Sequence, residues 1–490
     1  MKILLVYPRT PATFWSFQHV LPFVAKRAAF PPLGLLTVAA MLPADWELRL
    51  VDQNVAPLAD AQILWADYVF LSGMIVHKDA AREVARRCAA LGRRVVAGGP
   101  LFTTGHADFP EIGHFVCGEA EDVADALIGD LERGAPQAIY RSAAWPDVRR
   151  SPVPRWDLVR VRDYVTMPVQ FSRGCPFECE FCDIVVMNGR VPRTKEPAQV
   201  VRELEALRAA GWRDRVFIVD DNFIGNRKRA KELLRELIRW RERSASRMGF
   251  LTEASVNLAD DAELLELMVR AGFKKVFLGL ETPSLESLAE CGKRQNRNRD
   301  LQEATHILQN AGLEVMGGFI VGFDSDGEDI FQRQFEFIQR SGVVTAMVGL
   351  LNALPQTALY ARLAREGRML AESCGNNTEA AINFVTRLDR EVLIRGYRDL
   401  MRRLYEPRDY YRRIRIFLAA YRPQGPRLRF SWADVRAFAA SLWLLGVWQR
   451  GRLAFWRLLT TTLLCSPAKF GVAVELAILG HHFRKVARGL

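Results

Sequence analysis

The sequence predicts an α/β protein built as an amino-terminal doubly wound parallel sheet, a partial (β/α)6 barrel and a mostly helical carboxyl-terminal region. Three observations carry this. Short apolar runs alternate with amphipathic helical stretches twice over, in residues 1–133 and again in 168–350, the order that parallel sheets demand. A segment with Pro136, Pro146, Pro152, Pro154 and Pro168 and little periodicity separates the two series. Beyond residue 350 the strand signal stops. The 490 residues, 49% apolar and 25% charged, suffice for several globular domains.

In residues 1–133, strands are predicted at 2–7, 47–52, 68–72, 94–98 and 114–117, with helices at 79–91 and 121–132. Ligands of such sheets sit beyond the carboxyl ends of the strands, where Asp52, Ser72, Gly73, Gly98 and Gly99 fall. Gly98-Gly99-Pro100 ends its strand without side-chain bulk, so backbone can approach a large ligand, although the same pair also suits a tight turn. Residues 134–167 read as a linker. The second series places strands at 169–173, 216–219, 251–255, 275–280, 314–321 and 343–350, separated by helices at 197–210, 228–243, 262–271, 300–311 and 328–340. Functional groups of βα barrels gather at the carboxyl ends of the strands. There stand Asp220, Asp221 and Asn222 after the second strand and Glu281 after the fourth, while the Gly317–Gly322 stretch, with Ile320, forms the fifth. Residues 351–425 read as an auxiliary or lid segment, with a loop at Gly375-Asn376-Asn377-Thr378 and helix near 390–405, and residues 426–490 as a basic aromatic helical tail.

Directly after the first barrel strand comes Ser172-Arg173-Gly174-Cys175-Pro176-Phe177-Glu178-Cys179-Glu180-Phe181-Cys182-Asp183. Three thiolates at CxxxCxxC spacing can hold three corners of a [4Fe–4S] cubane and leave one iron open. Structural zinc wants four closed ligands, usually from two CxxC-like pairs, and no second pair exists here. A disulfide reading fits poorly, because the chain opens Met1-Lys2-Ile3-Leu4-Leu5 with none of the marks of a secretory signal. A cytoplasmic location is expected. Cys88, Cys117, Cys291, Cys374 and Cys465 stand singly and are expected to act as small hydrophobes.

The net charge of +12 is confined to one end: residues 1–400 hold 51 basic and 52 acidic side chains, residues 401–490 hold 17 and 4. The tail interleaves this charge with Trp432, Phe438, Trp443, Trp448, Phe455 and Trp456, which suits an anionic lipid surface better than nucleic acid. Its longest uncharged run of apolar type, 437–448, covers 12 residues, short of the roughly 20 that span a bilayer. Helices packed on the protein's own core, with arginines reaching outward, account for the pattern equally well.

The cysteine motif at the head of a partial barrel resembles the radical S-adenosylmethionine (SAM) enzymes, and the preceding unit resembles their cobalamin-binding domains. Phe30-Pro31-Pro32-Leu33-Gly34, Asp52-Gln53-Asn54 and Gly98-Gly99-Pro100 fit that subclass. Gly189-Arg190, Pro192-Arg193-Thr194-Lys195, Leu354-Pro355-Gln356-Thr357, Gly367-Arg368 and Tyr405-Glu406-Pro407-Arg408-Asp409-Tyr410-Tyr411 look like the branch containing the hopanoid carbon-2 methylases. The resemblance implies a [4Fe–4S] cluster on Cys175, Cys179 and Cys182, with SAM chelating the open iron and contacted by Phe181, Asp221, Asn222, Glu281, Gly317 and Ile320. It implies cobalamin held by Asp52, Asn54, Ser72, Gly73, Gly98 and Gly99. Relatives that ligate cobalt through an imidazole carry Asp-x-His-x-x-Gly; here Asn54 stands in place of that histidine, which leaves the lower face of the cobalt open or water-bound, unless the domain has lost cobalamin altogether.

The implied activity is radical methylation of an unactivated carbon in a hydrophobic, hopanoid-like or other natural-product substrate. An electron donor such as flavodoxin or ferredoxin would feed the cluster. Peripheral membrane contact through the tail would suit a lipid-like substrate, and no nucleic-acid partner is expected. A cobalamin-dependent cyclase, oxidase or rearrangement enzyme, and a non-enzymatic cobalamin or redox sensor, remain as alternatives.

Overall fold

The first sheet consists of β1 (Lys2–Tyr7), β2 (Glu47–Asp52), β3 (Tyr68–Ser72), β4 (Arg94–Gly98), β5 (His114–Cys117) and β6 (Ile139–Arg141), all parallel, in the order β2-β1-β3-β4-β5-β6. The structure, a computed structural model, describes residues 1–371, 373, 375, 376, 378, 380–424 and 432–490. Cys374, Asn377 and the expected start of the tail at 426 lie outside them. Alternation in β1 explains the two-sided burial. Leu4 and Val6 pack with Ile63, Val84 and Phe102 on one face, and Ile3 and Leu5 with Leu35, Trp46 and Leu127 on the other. The five strands expected here match residue for residue. The sixth, β6, lies in the stretch read as a linker: it has three residues, only Tyr140 of them buried, too short to reveal a period. It is fastened by the Tyr140 hydroxyl, which donates to Asp130 at 2.8 Å.

The second sheet holds β7 (Met167–Val169), β10 (Val216–Ile218), β11 (Phe250–Ala254), β12 (Phe273–Glu281), β13 (Glu314–Val321) and β14 (Ala346–Leu350), parallel and ordered β14-β13-β12-β11-β10-β7. This is the expected open barrel. One difference matters for the site: the first strand stops at Val169, and the continuation forms β8 (Ser172–Arg173), which pairs antiparallel with β9 (Arg193–Thr194). Asp220 causes the departure, accepting from the Phe171 amide and the Ser172 hydroxyl, each at 2.7 Å, so backbone that would have continued the sheet is tied to a side chain instead.

The carboxyl-terminal region comprises helices Ala358–Arg365, Arg390–Tyr405, Pro407–Ala420, Trp432–Trp443, Arg452–Cys465 and Phe470–Gly489, with a π-helical turn Leu444–Trp448. Helix Phe470–Gly489 belongs to the core: His482 contacts the Phe14 carbonyl at 3.1 Å, and Tyr410 donates to the Leu476 carbonyl at 2.7 Å. Its Glu475 closes the amino end of the barrel, meeting Arg215 at 2.7 Å and Lys275 at 2.8 Å, while Lys275 also meets Glu314 at 2.9 Å. Burial opposes ionisation of Glu475, but Arg215 and then Lys275 hold its carboxyl well below the ordinary range. Of the two readings of the tail, packing on the core therefore holds for its last helix. Among the described residues no helix is long and apolar enough to cross a membrane.

Replacing Glu475 by Gln leaves buried Lys275 and half-buried Arg215 with one carboxylate, that of Glu314, beside them. The expected cost is about 3 kcal/mol, read as a lowered unfolding midpoint; an unchanged midpoint would show that the network does not support the barrel floor.

Candidate functional site

The three cysteines occupy a loop pinned from several sides. Gly174 leads into it at φ +101°, where a Cβ would press on the carbonyls of Asn188, Gly189 and Val191 at 3.0 Å each. The Cys175 amide donates to Gly189 at 3.2 Å and the Cys182 amide to Cys179 at 3.0 Å. Glu180 is held through its amide by the Cys291 carbonyl and through its carboxylate by Arg362 at 2.6 Å. The thiols are free and half-buried, and burial pushes those of Cys175 and Cys182 up, so taking up a metal there displaces protons. Among the described residues no three His, Cys, Asp or Glu side chains converge as the ligands of a single ion would. A cubane asks for less, since its three cysteine-bound irons stand at separate corners; the loop fits that donor set.

Around this loop the carboxyl ends of the barrel strands bring several expected residues together. Asn222 is buried, with Nδ2 3.8 Å from Cys175 Sγ and 3.3 Å from Ser255 Oγ. Asp221 accepts from the Gly174 amide at 2.8 Å and from Asn188 Nδ2 at 2.9 Å, so its carboxylate braces the cysteine loop. Glu281 ends β12 at φ +62°, a left-handed conformation costly for a side chain with Cβ, and pairs with Lys293 at 2.5 Å. Burial works against the Lys293 ammonium, but Glu281 and Cys179 raise its pKa, and it lies 6.0 Å from the centre of the Phe181 ring. A methyl group at Gly279 would land on both members of this pair. In β13, Gly317 and Gly318 face opposite sides of the sheet. Strand alternation sends Gly317 with Phe319 toward Val343 and Phe337, while Gly318 shares the opposite side with Ile320 and has room only for the Phe277 ring.

Sequence reasoning missed Lys293 and Glu253, which lie where no local pattern marks them. Glu253, in β11, has its carboxyl pushed up to about 8 by burial and then by Asp221 and Asp220.

On the first sheet, Ser72, Gly73, Gly98 and Gly99 meet at the carboxyl ends of β3 and β4. Gly99 adopts φ +90°, and a Cβ there would strike Ser72 Oγ and the Gly73 carbonyl. Thr103 ties this turn to the next strand end, donating to the Gly99 carbonyl and accepting from Gly118 N, each at 2.9 Å. Glycine-rich backbone at three adjacent strand ends makes a surface on which a large flat group can lie. Asn54 is spent on its surroundings: Oδ1 accepts from Thr10 N at 2.8 Å, and Nδ2 donates to Asp52 at 2.8 Å and to the Pro8 carbonyl at 3.3 Å. Asp52 is buried beneath it and accepts from Tyr164 at 3.1 Å. His77 braces the Gly73 loop, accepting from Met74 N at 3.0 Å, and burial lowers its pKa to about 4, so it is neutral.

The two sheets are joined where these ends meet. Glu119, two residues after β5, pairs with Arg173 of β8 at 2.5 Å and with Arg193 of β9 at 3.0 Å; Glu121 pairs with Arg173 at 2.8 Å and accepts from Ser151 at 2.5 Å. Nearby, the 13–30 segment lays aromatic rings against the barrel strands. Trp15 stacks on Phe217 with centroids 6.1 Å apart and lies 5.2 Å from Phe277, and Phe30 is 5.7 Å from Phe217.

Because Glu253 ionises in the ordinary carboxylate range when unfolded and only near 8 when folded, it destabilises the fold increasingly as pH rises between those limits. Asp220, pushed up to about 7 by burial, acts in the same sense. The melting temperature of the protein without cofactors is expected to fall by about a few degrees over this interval, and Glu253→Gln to flatten the fall; identical profiles would contradict the assignment.

Three stretches of the chain match known families. Residues 26–128 match the B12 binding domain, 169–338 the radical SAM superfamily, and 357–490 a domain of unknown function, DUF4070. An uncharacterized methyltransferase of Synechocystis sp. is 42% identical, covering 99% of this chain and 91% of its own length. The hopanoid C-2 methylase of Rhodopseudomonas palustris is 34% identical, covering 100% and 94%. In fold, the chain resembles the radical SAM methyltransferase TsrM from Kitasatospora setae, solved with cobalamin and a [4Fe–4S] cluster, at TM-score 0.63 and 16% identity over 98% of this chain and 99% of that one. It resembles OxsB, solved with aqua-cobalamin and SAM, at TM-score 0.62 and 14% identity over 100% and 80%. The chain therefore belongs to the cobalamin-binding radical SAM enzymes, in the methyltransferase branch that includes hopanoid C-2 methylase.

Proposed function

We propose that this enzyme methylates an unactivated carbon of a hydrophobic, hopanoid-like substrate held between the two sheets. The observation that carries the reading is the sharing of Glu119 by Arg173 and Arg193, which turns the glycine-rich ends of the first sheet toward the cysteine loop of the second. When bound, the cluster with SAM supplies a carbon-centred oxidant and cobalamin supplies the methyl group.

The chain's own residues hold these groups and keep water away. Cys175, Cys179 and Cys182 ligate the cluster, with Asn222 near one sulfur and Asp221 bracing the loop from below. The Glu281–Lys293 pair offers a carboxylate to ribose hydroxyls, and Phe181 and Ile320 offer apolar surface to adenine. Ser72, Gly73, Gly98 and Gly99 would receive the nucleotide tail of cobalamin, and Asn54 and Asp52 would shape the turn beside it. Trp15, Phe30, Phe217 and Phe277 form the apolar wall that a polycyclic hydrocarbon would meet. On this assignment residues 1–133 bind cobalamin, 168–350 the cluster and SAM, and 351–425 cover the site. A small one-electron carrier such as flavodoxin or ferredoxin reduces the cluster, and the exposed part of the tail meets a membrane.

The test is anaerobic reconstitution with dithionite, cobalamin, methyl-labelled SAM and hopanoid. The expected products are 5′-deoxyadenosine, S-adenosylhomocysteine and labelled hopanoid. 5′-Deoxyadenosine without S-adenosylhomocysteine would overturn methyl transfer, and label retained entirely in SAM would overturn the activity.

A further inference from the structure

We propose that the face formed by helices Pro407–Ala420 and Arg452–Cys465 with the turn Leu444–Trp448 docks on an anionic phospholipid bilayer, arginines against the phosphates and Trp and Leu side chains in the interfacial layer. This deepens the membrane contact suggested above and rests on the hydrophobic-substrate reading only for its purpose.

Two grooves run between the helices, one of about 500 Å³ lined by Arg408, Arg415 and Arg457, the other of about 270 Å³ lined by Arg415, Arg422 and Lys469 with the hydroxyls of Thr461 and Ser466. Glu406 is the carboxylate in this lining. Among the described residues the side chains of Arg408, Arg415, Arg422 and Arg457 make no ion pair or hydrogen bond. Some arginines elsewhere on the surface, Arg229, Arg239 and Arg362 among them, hold a carboxylate, while others such as Arg202 and Arg340 are exposed singly; the four here line grooves between helices. Unpaired cations gathered in a groove are positioned for anions from outside the chain.

The apolar element lies along the same helix. Phe455, Leu458, Leu459 and Thr462 are buried on one side, whereas Leu453 is 80% exposed, Leu464 82% and Leu463 55% on the other. Trp448, 69% exposed, and Trp443, 63% exposed, stand 6.1 Å apart beside them. Leu453, Arg457, Thr460 and Leu464 recur at three- and four-residue spacing, so they form one stripe on the solvent side of the helix. A stripe that sets an unpaired arginine and a threonine between two exposed leucines, flanked by tryptophan, matches the bilayer interface, where hydrocarbon and phosphate lie within a few ångströms of each other. A second copy is the poorer occupant, because a two-fold contact sets each patch against itself and brings these arginines face to face.

The experiment is co-sedimentation of the holoenzyme with vesicles of phosphatidylcholine alone or mixed with phosphatidylglycerol. The enzyme is expected to bind the mixed vesicles, to leave them at high salt, and not to be released by inorganic phosphate at matched ionic strength. The variant R415Q/R422Q/R457Q is expected to bind about 100-fold more weakly, at about fivefold per arginine. The variant W448A/L453A/L464A tests the apolar stripe and is expected to bind at least about 10-fold more weakly. Equal binding to both vesicle types, no binding, release by phosphate, or a dimer that the same substitutions dissociate would overturn the proposal. Binding is read without turnover, so its failure is distinct from failure of the methylation assay.

Discussion

One buried carboxylate holds the architecture in register. Glu119 leaves the carboxyl end of the first sheet and accepts from two arginines, Arg173 and Arg193, that belong to opposite strands of the hairpin flanking the cysteines. Glu121 adds a second contact to Arg173, and the Pro146 carbonyl and the Asn188 carbonyl add further contacts to Arg193. Buried ion pairs of this kind contribute little net stability, since desolvation offsets most of the attraction. What they supply is direction: a planar guanidinium fixed at several atoms allows one orientation of the loop it carries. The loop for one cofactor and the glycine-rich turns for the other are thereby parts of a single surface.

Carboxylates and amides near the site divide their labour in a way that position alone does not reveal. Asp220 replaces a missing stretch of ladder, Asp221 supports Gly174, and Asn54 knits the first turn of the amino-terminal unit. On the proposed assignment each is a scaffold group one step removed from the cofactors, and Glu281 with Lys293, Asn222 and the sulfurs face them. The left-handed backbone at Glu281 fits this division, because strain of that sort persists only where the surroundings fix it.

Much of the fold was legible in the sequence because parallel strands buried on both faces announce themselves as apolar runs, and all five strands of 1–133 fall where those runs do. What escaped was short or paired outside its run. Strand Ile139–Arg141 has too few residues to show a period, and Ser172–Arg173 reads as the end of a strand but is drawn away by Asp220, 48 residues later. The cysteine triplet stands out as a candidate ligand set from spacing alone. Its supports do not: Lys293, Glu253 and Glu119 are isolated charges in the sequence and acquire meaning only when the barrel closes. The tail carried a signal that fitted two readings; in the structure helix Phe470–Gly489 lies in the core, and helix Arg452–Cys465 packs Phe455, Leu458 and Leu459 on it while presenting leucines and arginines outward.

The central claim is that the Glu119 and Glu121 carboxylates set the distance between the two cofactor sites. The most direct measurement is the dipolar coupling between the reduced cluster and paramagnetic cobalt by pulsed electron paramagnetic resonance, in the wild-type holoenzyme and in E119Q/E121Q loaded with both cofactors to the same stoichiometry. A single narrow distance in the wild type that broadens or shifts in the variant is the predicted result. An identical, equally narrow distribution in both would contradict the account.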